Sequence, residues 1–121
     1  SGNPIVEIRP GFHEVCVSVL QVGKKGVPWA GGGYFRLFPY PLFKWGVKRI
    51  LRADQPYIFY IHPWEVDPDQ PKMTGLKRSH KFRHYNNLDR CASRFDNLLG
   101  SFAWRPIGEF LDEYLETQSR S

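Results

Sequence analysis

Tyr57-Ile58-Phe59-Tyr60-Ile61, closed by His62-Pro63-Trp64, is the stretch on which the fold turns. An unbroken apolar, β-branched and aromatic run this short, with Pro56 before it, is too brief for a buried helix and predicts a central strand covered on both faces. An imidazole at the C-terminal end of such a strand stands where α/β folds gather their active sites, which makes His62 the first catalytic candidate. Position alone favours a histidine that ends a strand and is hydrogen-bonded into the packing. Trp64 offers an apolar wall or a stacking face for a sugar ring, and Glu65 and Asp67 lie near enough in sequence to orient the imidazole.

Upstream of that run, Phe43, Val47, Ile50 and Leu51 recur at helical spacing with Lys44, Lys48, Arg49 and Arg52 between them, predicting a helix over 41–52 with Pro41 in its first turn. Further back, residues 13–20 alternate, with Val15, Val17 and Val19 on one side and Glu14, Cys16 and Ser18 on the other, as in a half-buried strand. Between them, Gly23, Gly26, Pro28 and Gly31-Gly32-Gly33 predict a loop with a short hairpin over Gly23-Lys24-Lys25-Gly26 and a close backbone approach at the triplet. Downstream, 63–75 with its three prolines and 77–84 with its basic residues read as loop. A helix follows from Asn87 to Gly100 with Leu88, Ala92, Phe95 and Leu99 on one face, and another from Pro106 that buries Ile107, Phe110, Leu111 and Tyr114. Strand, helix, strand, helix, helix is the alternation of an α/β fold.

The chain of 121 residues is 41% hydrophobic, long enough for one globular domain with its own core. We divide it into a remnant and lead-in over 1–12, Ser1-Gly2 having the character of a cloning remnant, and a domain over 13–121. Seventeen Lys and Arg against twelve Asp and Glu give a net charge of +5, which draws polyanions, and 16% aromatic residues suit sugars or nucleic acids. Cys16 and Cys91 form no disulfide framework or CxxC metal site and are expected as two buried thiols. There is no apolar run of the roughly 18 residues that a transmembrane helix needs.

His80 and His84 have H-x3-H spacing with Cys91 following, which raises zinc; Lys77, Arg78, Lys81 and Arg83 between and around them would repel a cation, so a basic loop is favoured. The basic and aromatic mixture of Lys77 to Tyr85 could clasp phosphates and stack on bases, yet it comes without any nucleic-acid-binding fold pattern. Gly31-Gly32-Gly33-Tyr34-Phe35-Arg36 is no dinucleotide fingerprint; Arg36 could bind a carboxylate or phosphate.

Read together, AGGGYFRLFPYPL (Ala30 to Leu42), FYIHPWEVDPDQP (Phe59 to Pro71) and FRHYNNLDR (Phe82 to Arg90) resemble, in order, the C-terminal region of a bacterial NodB-like polysaccharide deacetylase subfamily encoded in exopolysaccharide loci alongside exosortase systems. The resemblance covers nearly the whole chain after its first residues. It implies the C-terminal portion of a distorted (β/α)7 barrel and an enzyme that removes acetyl groups from N-acetylated sugars. It also implies a divalent metal, usually zinc, held in the intact enzyme by an Asp and two His and supplying activated water, an Asp as base, and His62 as the acid that protonates the leaving amine. The TFDD-type segment that carries the base and a ligand has no counterpart here, nor has the mid-chain arginine motif. His80-x3-His84 falls after the late strand rather than before it, so no metal is expected in this segment itself.

By the same resemblance, Trp64, Arg36, Tyr34, Arg83 and His84 shape the glycan groove, a purely structural role for the Tyr34 to Arg36 block remaining equally open. The expected partners are an N-acetylated polysaccharide and the N-terminal part of the barrel, with self-association through open sheet edges. The compartment stays open between cytoplasm and cell envelope. The alternative is a binding module for a glycan or other polyanion, without chemistry; nucleic acid ranks below both.

Overall fold

The computed structural model describes residues 4–53 and 55–120, apart from the side chain of Arg83. It is a mixed α/β structure of two small antiparallel sheets and, among the described residues, five helices. β1 (Ile5–Arg9) pairs with β2 (Phe12–Val15), and β3 (Val19–Val22) with β4 (Lys25–Pro28). α1 (Gly33–Leu37) and α2 (Tyr40–Arg52) follow, then a 3-10 turn over Pro63–Val66, α3 (Arg78–Tyr85), α4 (Leu88–Ser101) and α5 (Ile107–Arg120).

The predicted strand over 13–20 is divided between the two hairpins. Cys16 bonds back to the Pro4 carbonyl (2.7 Å), while Ser18 accepts the Trp29 amide (3.0 Å) and turns the chain into the second hairpin. The burial is also the reverse of the alternation: Val17 and Val19 are exposed, and Ser18 and Leu20 are buried. Apolar alternation reveals the pleat but not which face meets the core. β3 and β4 close through Gly23-Lys24, which places the hairpin where the glycines predict it, and the stretch assigned to a lead-in contains β1.

Tyr57 to Ile61 is extended but is no strand of a sheet. Its one ladder contact is a parallel bridge between Tyr60 and Gly31, with the Tyr60 amide on the Ala30 carbonyl at 2.9 Å. Elsewhere side chains replace ladder partners: Ser18 Oγ accepts the Ile58 amide (2.8 Å), and the Tyr57 hydroxyl donates to the Trp29 carbonyl. Only one face is covered. Tyr57, Phe59 and Ile61 pack on the core, whereas Tyr60 is 45% exposed. The glycine triplet does permit a close approach here: a Cβ on Gly31 (φ 144°) would lie 2.1 Å from the Tyr60 carbonyl oxygen.

The core joins the second hairpin, α1, α2 and α4 through Leu20, Trp29, Phe35, Phe43, Val47, Ile50, Cys91 and Leu98. α2 spans almost the predicted residues, with Pro39 at its N-cap and Arg49 and Arg52 in its last turn. α4 is rotated from the predicted face: Leu88, Cys91 and Leu98 are buried, while Ala92 and Leu99 are exposed. α5 buries none of its residues, Ile107 being 52% exposed and Phe110, Leu111 and Tyr114 half-buried. Both cysteines are free, Cys91 buried and Cys16 only half-buried. No described helix is long and apolar enough to cross a membrane.

Candidate functional site

The site begins at the end of the extended run, where Pro63 cannot continue a ladder and the chain winds into a 3-10 turn with His62 at its N-cap. Glu65, at the third position of that turn, folds back so that its Oε2 accepts the His62 amide at 2.8 Å. The same oxygen lies 3.3 Å from His62 Nδ1. Its Oε1 accepts Arg36 Nε at 3.2 Å. Glu65 is 1% exposed and Arg36 2%, so this is a fully buried ion pair, and the half-exposed imidazole of His62 is its outlet to solvent. A carboxylate held by a guanidinium only accepts, so Nδ1 carries its hydrogen toward Glu65 and Nε2 is the ring nitrogen that Glu65 does not engage.

Arg36 is the hub. Its Nη1 donates to the carbonyls of His84 (3.0 Å) and Asn86 (2.8 Å), and its guanidinium lies 5.1 Å from the Trp64 ring centroid. Its own carbonyl accepts Asn87 Nδ2 (2.7 Å) and Arg94 Nη1 (2.6 Å). One residue of α1 thus ties the His62 turn to the α3–α4 junction. This explains two departures from expectation. The segment read as a basic loop is helical over Arg78–Tyr85, a stretch free of Gly and Pro whose final carbonyls meet the guanidinium. Asn87 does occupy the N-cap of α4, but in a left-handed conformation (φ 53°) with its side chain on Arg36 rather than on the helix.

Above this hub runs a row of rings. Tyr60 meets His62 edge-on (5.7 Å between centroids), His62 lies parallel to Trp64 (6.0 Å), Trp64 stacks on His84 (4.1 Å), and His84 meets Tyr85 (4.6 Å). The loop after the turn is fastened to the row: Gln70 Oε1 lies 3.2 Å from His84 Nε2, and the Met73 amide donates to the Tyr85 hydroxyl at 2.7 Å.

Of the residues selected from the sequence, His62, Trp64, Arg36 and His84 are brought together, although Arg36 and His84 are 48 positions apart. Arg36 is inward, 2% exposed, with its guanidinium spent on the turn and the α3–α4 junction. Tyr34, on α1 and 40% exposed with its ring 5.6 Å from Phe38, is outside the ring row but shares a cleft with Tyr60. Arg83 belongs to α3, its side chain outside the described residues. Of the two acids considered for the imidazole, Glu65 reaches it, whereas Asp67 is exposed and accepts the Asp69 amide. Sequence spacing carried no sign of the Arg36–Glu65 pair or of Tyr60 as a neighbour of His62. His80 is exposed, the His84 ring is occupied by Trp64 and Gln70, and Cys91 is in the core, where burial pushes its thiol up to about 11. Among the described residues, no three His, Cys, Asp or Glu side chains are grouped to hold a metal ion.

No curated protein and no solved structure matches the chain. A family model does, over residues 3–112. That match takes in both hairpins, the His62 turn, the Arg36–Glu65 pair and the ring row. The chain therefore belongs to the family described as a domain of unknown function (DUF3473).

Proposed function

We propose that this domain is the C-terminal part of a metal-dependent polysaccharide deacetylase that removes N-acetyl groups from an exopolysaccharide, and that His62 is its proton donor. The observation that carries the reading is the chain His62–Glu65–Arg36: a half-exposed imidazole, its Nδ1 on a buried carboxylate, and the carboxylate fixed by a buried guanidinium. This arrangement fixes the ring's orientation, and with Nδ1–H on Glu65 the proton delivered to a departing sugar amine is the Nε2–H of the imidazolium, which becomes the neutral ring. The three sequence blocks that resemble the deacetylases supply the substrate class. The parallel bridge at Gly31 and Tyr60 supports the further proposal that the segment folds as the end of a distorted (β/α)7 barrel in the intact enzyme.

A divalent metal would supply the activated water. The resemblance places its ligands in a segment upstream. This chain's part is to orient His62, to pack Trp64 and His84 beside it, and to deliver the proton at Nε2.

The test is acetate release from N-acetylated oligosaccharides by the full-length, zinc-loaded polypeptide. His62→Ala is expected to lower kcat about 100- to 1,000-fold with KM little changed. Undiminished kcat would remove the assignment. Acetate release by these 121 residues alone would remove the division of labour. The runner-up, a non-catalytic glycan-binding module, is favoured by the length of the ring row. It predicts binding that survives His62→Ala and is lost in Trp64→Ala.

A further inference from the structure

Two clefts flank α3 and meet at Phe82 and Asn86, which line both. The first, about 540 Å³, is also lined by Tyr34 and Tyr60, within the size range of small-ligand sites. Tyr60, which lines this cleft, is also the ring in edge contact with His62, 5.7 Å between centroids. The second, about 330 Å³, adds Arg78 and Lys81. Tyr34, Tyr60 and Phe82 are 40%, 45% and 57% exposed, and all three line the one cleft. No Asp or Glu lines either cleft, and neither Arg78 nor Lys81 belongs to an ion pair among the described residues. The surface thus changes along its length, from aromatic next to His62 to cationic with an aromatic floor on α3.

We infer that this groove takes an acidic glycan: a sugar stacks on Tyr34, Tyr60 and Phe82, and a carboxylate-bearing sugar further along the same chain lies against Arg78 and Lys81. The glycan itself rests on the deacetylase reading; the charge comes from the groove. Sugar rings present C–H faces that pack on aromatic faces with little regard for charge. A neutral polymer would gain nothing from two unpaired cations beside that platform, whereas a uronate would be steered and held by them. Stacked bases with phosphates are the competing occupant. The contact between Tyr60 and His62 favours the glycan, because a sugar stacked on Tyr60 rests on the ring that adjoins the proposed proton donor.

The inference is tested by measuring the affinity of the 121-residue chain, at low ionic strength, for three probes. These are a hexasaccharide alternating N-acetylglucosamine and glucuronate, the neutral N-acetylglucosamine hexamer, and an oligothymidylate of similar length. The acidic hexasaccharide is expected to bind about three- to tenfold more tightly than the neutral one, the size of two exposed ion pairs. Arg78→Ala with Lys81→Ala should erase that difference while leaving the neutral probe unchanged, as should high salt. Phe82→Ala should weaken both glycans. Equal affinities, absence of binding to both glycans, a preference that survives loss of the two cations, or oligothymidylate binding as tightly as the acidic glycan would each overturn the inference. The deacetylase reading fails separately: an acidic preference alongside acetate release indifferent to His62 would leave the groove and remove the enzyme.

Discussion

At the residue scale, Glu65 carries the most. It satisfies the backbone of the 3-10 turn, orients His62 and neutralises Arg36 from a position 1% exposed. Removing one member of a buried pair strands the other charge, which costs more than the pair itself contributes. Glu65→Gln is therefore expected to destabilise the domain by about 3 kcal/mol in urea unfolding. Arg36→Met should cost at least as much, since it also strips the His84 and Asn86 carbonyls of a donor. If Glu65→Gln is neutral, the pair does not hold the turn. His62 was legible as a candidate because a histidine after an apolar run is visible in one dimension. Its partner Arg36 was selected for a different reason, an anion site, and 29 residues separate it from Glu65.

At the element scale, α2 was read almost to the residue because its apolar stripe and its terminal signals agree. Its Gly46 carries a tertiary demand. A Cβ there would lie 2.3 Å from the Trp29 indole, which is clamped between Phe38 and Phe43 and donates to the Phe43 carbonyl at 2.9 Å. In an isolated helix Gly→Ala gains about 1 kcal/mol. Here the collision reverses the sign, and Gly46→Ala should cost about 2 kcal/mol by urea midpoint with a change in tryptophan fluorescence. A stabilised variant would mean that Trp29 repacks freely. α3 and the two hairpins were less legible, for different reasons. α3 has no apolar stripe to read, and its C-terminus depends on a guanidinium from α1. The valines of 15–19 announce a pleat, but the turn at Ser18 decides that Leu20 faces inward.

At the scale of the molecule, the core is held partly by groups that must stay neutral. Burial pushes the Tyr57 phenol above its ordinary range, and burial, then Glu65, pushes the Cys91 thiol up to about 11. Both keep their protons in the folded protein at pH values where the unfolded chain releases them, 9.0 for the thiol and 10.0 for the phenol. Stability is then full below about pH 9 and falls as pH rises toward 11, because the unfolded state binds fewer protons there. Urea midpoints measured across that range should show the decline. Tyr57→Phe should lose about 1 kcal/mol at neutral pH, from the bond to the Trp29 carbonyl, and decline less steeply above pH 10. A flat profile would mean that water reaches both groups.

The sequence by itself determined the mixed α/β composition, the positions of α2, α4 and α5, the close approach at the glycine triplet, and His62 with Trp64 beside it. These rest on local signals: periodicity, proline and glycine placement, and immediate neighbours. The tertiary structure alone decided which faces of the second hairpin and α4 are buried, that Tyr57 to Ile61 makes a single ladder bridge with Tyr60 outward, and that Arg36 underlies His62 through Glu65. Each of those depends on what lies opposite a residue in space. A pattern along the chain states how often a side chain turns inward, and the partner it meets there comes from another part of the chain.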